Sequence, residues 1–172
     1  MLALLPDEPA GRISTRNAGA ISFSATFSFD PEGAMANGPV ALGELSSEAR
    51  LYSLVTSENV RAARRTISCE IRALSSDALT RALNDALRSV TTYAALTESV
   101  LEARAIKRTS PTVTPVALLE ELACRLWGAG LSASFGPSWA PIPAAEASVG
   151  MRGSEEDLKS CLRGYPIGLL SR

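Results

Sequence analysis

The chain has 172 residues, 46 % hydrophobic and 20 % charged, with a formal net charge of -1. That balance supports one buried core and excludes a disordered chain, and near-neutrality gives no general attraction to nucleic acid or anionic lipid. Histidine is absent and lysine occurs only at Lys107 and Lys159; this excludes Ser-His-Asp and Cys-His catalysis within the chain and imidazole metal centres.

Residues 1–18 read as a flexible arm, broken by Pro6, Pro9 and Gly11. From Ala20 to Phe29, Ile21, Phe23, Ala25, Phe27 and Phe29 alternate with small polar residues, the period of a strand with one buried face. Asp30-Pro31-Glu32-Gly33 reads as a turn. Two apolar runs, 39–45 and 50–55, joined by a short polar link, read as a hairpin. Ser57 caps an expected helix through Val60, Ala63 and Arg64, after which Ile67, Cys69, Ile71 and Ala73 alternate as a strand. Ser75 or Ser76 opens a helix with Leu79, Ala82, Leu83, Ala86 and Leu87 on one stripe. Val90-Thr91-Thr92-Tyr93, β-branched and aromatic, suits a strand, and Thr97-Glu98-Ser99 opens a helix to about Ile106. Helix and strand alternating in this way imply parallel strands with crossover helices.

Thr114-Pro115 starts a further helix, with Leu118, Leu119, Leu122 and Leu126 on its apolar side and Gly128 as its stop. Residues 129–152, rich in Ser, Pro, Ala and Gly, read as a surface wrap. A last helix is capped near Ser154 and ends at Gly164. The fold class expected is therefore α/β, with helix-strand alternation, a partly parallel sheet, an N-terminal strand and hairpin, and a helical C-terminal extension. Its divisions are an arm over 1–18, an α/β core over 19–108, and a helical, Pro-rich extension over 109–172 packed on that core.

Residues 38–105 resemble the second half of a Lon-type protease domain. Val40-Ala41-Leu42-Gly43-Glu44-Leu45 resembles that family's Gly-Glu strand, and Arg50-Leu51-Tyr52-Ser53-Leu54 its partner. Residues 58–65, 67–74, 77–87, 89–94 and 98–105 resemble the elements that follow. The resemblance implies a serine nucleophile with a lysine base. Asn17, in Arg16-Asn17-Ala18-Gly19, stands where that serine belongs, and no lysine precedes Lys107. It thus implies a catalytically degenerate relative.

Other constellations have plain structural readings. Ser68 and Lys107 read as surface residues and not as a dyad. Glu120-Glu121 and Glu155-Glu156-Asp157 read as first-turn acids that complement helix dipoles. Gly128-Ala129-Gly130 follows a helix and has no lysine after it, so it is no phosphate loop. Cys69, Cys124 and Cys161 are odd in number, form no CxxC pair, and read as unpaired thiols in a reducing compartment. Arg61, Arg64 and Arg65 form the basic cluster, and Trp127 and Trp139 flank the Pro-rich segment. These five are the candidate partner-binding residues, and an unpaired strand over 20–29 would suit pairing with a neighbouring chain.

No catalytic residue, cofactor or metal is expected. The first functional reading is a non-enzymatic interaction or assembly protein, as a structural component of a larger particle or a degenerate Lon-like domain. It would bind a protein partner or itself, and aromatic residues do not interleave with the basic cluster to favour nucleic acid. The alternative is a Ser/Thr hydrolase of Ser-Lys type completed by another chain. No membrane span is expected, since Pro137, Pro141 and Pro143 interrupt the longest charge-free run, and the location expected is cytoplasmic or otherwise intracellular.

Overall fold

The computed structural model describes residues 1–30, Val40, Leu42, 47–142, Ala145 and 147–169. It is mixed α/β, with two sheets and three helices. The chain divides into two compact units, one made of residues 1–19 and 110–172, the other of residues 20–109. The second is thus inserted in the sequence of the first.

The inserted unit holds β3 (Gly19–Ser28), β4 (Ala49–Asn59), β5 (Arg64–Ala73), α1 (Ser76–Leu96) and β6 (Val100–Thr109) in a sheet of order β4-β5-β3-β6. The alternation read for β3 is realised. Ile21, Phe23, Ala25 and Phe27 are buried, while Ser22, Ser24, Thr26 and Ser28 take the other face. Ile67, Cys69, Ile71 and Ala73 of β5 join the same core. The Ser75 hydroxyl caps α1 by accepting from the Ala78 N–H at 3.2 Å. Ala78, Leu79, Ala82, Ala86, Val90 and Ala94 form its buried stripe. Its many alanines let the helix backbone approach the sheet closely.

Several local expectations fail here. Val90–Tyr93 is the last part of α1 and not a strand, because Val90 and Ala94 continue the stripe begun at Ala78, and burial along it outweighs β propensity. Residues 97–106 are not a helix. Thr97 ends α1, Glu98 takes a positive φ of 51°, and the chain turns into β6, antiparallel to β3 from Val100 opposite Ser28 to Thr109 opposite Ala20. The helix expected after Ser57 is the end of β4, a 3-10 turn at Val60–Ala62 and the start of β5. That turn makes β4 and β5 an antiparallel hairpin, so the parallel crossover between 67–74 and 89–94 is absent. The strand over 20–29 is an interior strand with neighbours on both sides, and β4 and β6 hold the edges. The turn at 31–33 and the Gly43-Glu44 strand of the expected first hairpin lie outside the described residues.

The other unit holds β1 (Leu2–Pro9), β2 (Arg12–Asn17), β7 (Thr112–Val113), α2 (Val116–Gly128), β8 (Ser134–Ser138), β9 (Ala147–Arg152), α3 (Glu155–Cys161) and β10 (Ile167–Leu169). The sheet order is β10-β1-β9-β2-β7, with β8 also paired to β2. β1 is parallel to β9 and β10, and β2 is parallel to β8, which gives the partly parallel sheet. Residues 1–18 therefore form two strands. Leu2 and Leu4 pack with Leu122, Leu126 and Leu158, while Ala3 and Leu5 pack on the opposite face with Ile142 and Ala145. A strand covered on both faces is uniformly apolar, and Leu2-Ala3-Leu4-Leu5 has that form. Gly11 turns β1 into β2 at φ 73°, and a Cβ there would lie 2.0 Å from the Ser132 carbonyl oxygen.

Phe27 is fully buried and meets Tyr93 edge-on, with ring centroids 4.9 Å apart. Phe27→Ala should destabilise the protein by about 3–5 kcal/mol in urea unfolding. Leu96→Ala, at a side chain 79 % exposed, should change stability by under about 0.5 kcal/mol.

Candidate functional site

The densest buried polar cluster among the described residues lies on β2. Ser14, Asn17 and Ser148 are all at most 3 % exposed. β2 slips one register against β8 between Ser14 and Arg16, and Ser148 on β9 reaches both Ser14 and Asn17. The Ser148 N–H donates to Ser14 Oγ at 2.9 Å, and the Ser148 hydroxyl donates to Asn17 Oδ1 at 2.7 Å. The Ser14 and Ser148 hydroxyl oxygens are 2.7 Å apart, and the Ser14 hydroxyl donates to the Ser148 carbonyl at 3.2 Å. The Asn17 amide passes the chain on to Thr112 Oγ1 at 3.1 Å, and the Thr114 hydroxyl donates to the Ser14 carbonyl at 2.7 Å. Each buried group has a partner, so the network ties β2 to β9 and β7 without an unsatisfied polar atom.

A crease beside it is lined by Leu5, Glu8, Arg12, Ser14, Gly136, Ser138 and Ser148, and is too narrow for a water molecule. Glu8 is its one carboxylate. It pairs with Arg12 at 3.7 Å and accepts from the Ser138 hydroxyl at 3.5 Å. Among the described residues, neither Ser14 nor Ser148 is hydrogen-bonded to a carboxylate or an amine. A serine hydroxyl at neutral pH is a weak nucleophile without an adjacent base. Lys159 is bound to Glu155 on its own helix, and Lys107 lies on β6 of the inserted unit. Among the described residues this arrangement positions strands and places no carboxylate or amine against Ser14 or Ser148. Nor do those residues include three or more His, Cys, Asp or Glu grouped to hold a metal.

The five residues chosen from sequence are distributed over both units. Arg65 is buried on β5, with its guanidinium 2.7 Å from the Glu58 carboxylate and donating to the Tyr93 hydroxyl. It is thus engaged in holding α1 and β4 to β5. Arg61, in the 3-10 turn, and Arg64, at the start of β5, are exposed. In the other unit, Trp127 is exposed on α2 and Trp139 is half-buried after β8. The serines and Asn17 were not among the chosen residues. Ser14 and Ser148 lie 134 positions apart, and no local spacing links them.

The second electrostatic cluster joins α2 to the C-terminal segment. Arg125 donates to the Arg163 carbonyl at 3.1 Å, pairs with Glu121 at 3.2 Å and lies over the Tyr165 ring. The Tyr165 hydroxyl and then Arg125 hold the Glu121 carboxyl below its ordinary value. Burial, then Glu121, pushes the Tyr165 phenol up. Cys69 is buried in the sheet core, and its thiol is pushed up to about 12 by that burial, while Cys124 is exposed.

No family model matches the sequence, and no curated protein matches it. Solved structures do match the fold. Aminopeptidase PepT from Bacillus cereus superposes with a TM-score of 0.62 over 99 % of this chain and 48 % of its own, at 15 % identity. The likeness is one of fold alone. A tripeptidase from Staphylococcus aureus gives 0.61 over 83 % of this chain and 46 % of its own, at 12 % identity. A hydantoinase/carbamoylase-family amidase from Burkholderia multivorans gives 0.59 over 80 % and 42 %, at 16 % identity. The chain spans less than half the length of these structures.

These likenesses correct two expectations. The Lon-type resemblance is not supported, because the neighbours are peptidases and amidases of another kind. The helix-strand rhythm that suggested it misread β4, β6 and the end of α1. The reading as a non-enzymatic assembly protein, a structural component or a pseudoenzyme also gives way, since the matching folds belong to hydrolases.

Removing the Ser148 hydroxyl strands Asn17 Oδ1, while the Ser14 hydroxyl keeps the Ser148 carbonyl, to which it donates at 3.2 Å. Ser148→Ala should cost about 1–3 kcal/mol in chemical unfolding, and adding Ser14→Ala should cost less than the sum of the two single changes. The contribution of Glu121, whose pKa is lowered, is present above its unfolded value near 4.5 and lost as pH falls through the lower folded value. That of Tyr165, whose pKa is raised, is present below its unfolded value near 10 and lost as pH rises through the higher folded value. Melting temperatures of Tyr165→Phe against the parent, followed from pH 8 to 11, should show the parent's advantage shrinking above about pH 10.

Proposed function

We propose that this chain forms part of an amide-bond hydrolase, a scaffold portion whose catalytic groups come from a second polypeptide segment. The observation that carries this reading is the PepT likeness, which takes in 99 % of this chain but 48 % of that one. The chemistry of the buried network agrees with it, because Ser14 and Ser148 are held by each other and by Asn17 with no base in reach. The substrate class that fits is a small peptide or an N-carbamoyl amide, the bonds on which the named neighbours' families act. Arg61 and Arg64 are free to meet a substrate carboxylate or an acidic partner surface. Exposed Trp127 is a candidate anchor for the completing segment, with half-buried Trp139 as a second candidate. The protein fits an intracellular setting, where three unpaired cysteines stay reduced. No described helix is long and apolar enough to cross a membrane.

The test is hydrolysis of tripeptides and N-carbamoyl amino acids by the tagged chain, alone and in the complexes that it retains from its own cells. We expect no turnover by the chain alone and measurable turnover by the complex, with Trp127→Ala lowering both recovery of the complex and its activity. A stoichiometric complex that hydrolyses no amide would contradict the reading. Turnover by the isolated chain, abolished by Ser14→Ala or Ser148→Ala, would replace it with a self-sufficient serine hydrolase.

A further inference from the structure

We infer that the face of the inserted unit's sheet turned away from α1 docks an acidic segment of another protein. Strand pairing fixes which side chains share that face. The floor is hydroxylic and flat. β3 contributes Ser22, Ser24 and Thr26, and β5 contributes Thr66 and Ser68, each alternating with a buried core residue. The Thr26 and Thr66 hydroxyls meet at 3.1 Å across the two strands. On β6, Glu102, Arg104 and Lys107 stand opposite Thr26, Ser24 and Ser22. On β4, Arg50 stands opposite Arg72.

Charge is concentrated around that floor. Among the described residues, Arg50, Arg64, Arg72, Arg104 and Lys107 stand on the face against two carboxylates, Glu70 and Glu102. This is a surplus of three positive charges on a chain whose net charge is -1. Glu70 is taken by Arg72 at 2.6 Å. Arg64, Arg104 and Lys107 have no ion-pair partner among the described residues and are exposed. Cations around hydroxyls that both donate and accept suit a row of carboxylates. Arg104 and Lys107 fall on successive rows of the sheet, those of Ser24 and Ser22. Such rows lie about 6.8 Å apart, which is also the spacing of alternate side chains along an extended peptide. An acidic strand lying on the floor would therefore present its carboxylates in step with these two cations.

Phosphates carry the same sign of charge, but a nucleic acid would have no ring to stack on here. The Arg72 guanidinium covers the Tyr52 ring at 3.2 Å, and no other described residue of the face is aromatic. The other side of the sheet is closed by α1, whose Arg81 and Arg88 pair with Glu48 and Asp85.

The inference does not depend on the hydrolase reading. Fluorescence anisotropy of a dye-labelled decaglutamate, titrated with the full chain at about 50 mM salt, should show a dissociation constant of roughly 100 µM. Arg104→Glu with Lys107→Glu should weaken binding about tenfold. Arg81→Glu with Arg88→Glu makes the same change in net charge from α1, and should weaken binding less than about twofold. Ser68→Tyr, at an exposed position on the floor, raises the floor without changing charge and should weaken binding about threefold. These side chains lie at the surface, and circular dichroism should show every variant folded. A thymidine decamer, similar in length and charge, should bind more weakly than decaglutamate. No binding of decaglutamate below about 1 mM, equal losses from the β6 and α1 reversals, an unchanged affinity in Ser68→Tyr, or tighter binding of the thymidine decamer would each overturn the proposal.

Discussion

The Ser148 hydroxyl has one proton to give and no solvent to give it to. It donates to Asn17 and lies 2.7 Å from the Ser14 hydroxyl oxygen, and so fixes where β2 lies against β9. β2 is the strand on which that unit converges, with β9, β7 and β8 all paired to it. Hydrophobic burial would tolerate some sliding of these strands. A satisfied buried network does not, because a slip would leave several polar groups without partners. The remainder of the unit is arranged around this constraint, with Leu2, Leu4, Ile13 and Val149 packed beneath α2 and α3.

The same constraint defines what the chain can do chemically. Hydroxyls committed to holding strands, in a crease too narrow for water, are poorly placed to attack a carbonyl. The inserted unit shows the same economy. Arg65, the most buried member of the basic cluster, is bound to Glu58 and Tyr93. Among the described residues, β6, Arg61, Arg64 and Trp127 stand exposed. The fold is matched over less than half the length of the solved structures that it resembles.

How far the sequence revealed this can be judged from individual elements. The alternation in β3 was legible because ten residues repeat one period, and the stripe of α1 was legible up to Leu87 for the same reason. The last turns of α1 were missed because Val90-Thr91-Thr92-Tyr93 reads locally as a strand, while the stripe that keeps it helical begins at Ala78. β1 was missed because a strand buried on both faces has no alternation, and four apolar residues near a terminus are too short a signal. β6, rich in Ala, Glu and Arg, carries helix propensity, and only its pairing with β3 makes it a strand. The network was illegible because serines and an asparagine scattered over 134 positions look like surface residues until the strands meet. Asn17 drew notice only as the wrong residue for a nucleophile, whereas its amide is the link between Ser148 and Thr112.

The central claim is that the buried hydroxyls of this chain hold its strands and do not react. Labelling of the purified, folded chain with a fluorophosphonate, followed by mass mapping of the modified peptides, tests it most directly. The account predicts no adduct on Ser14, Ser138 or Ser148 in the native protein. A single stoichiometric adduct on any of the three, absent after denaturation, would contradict it.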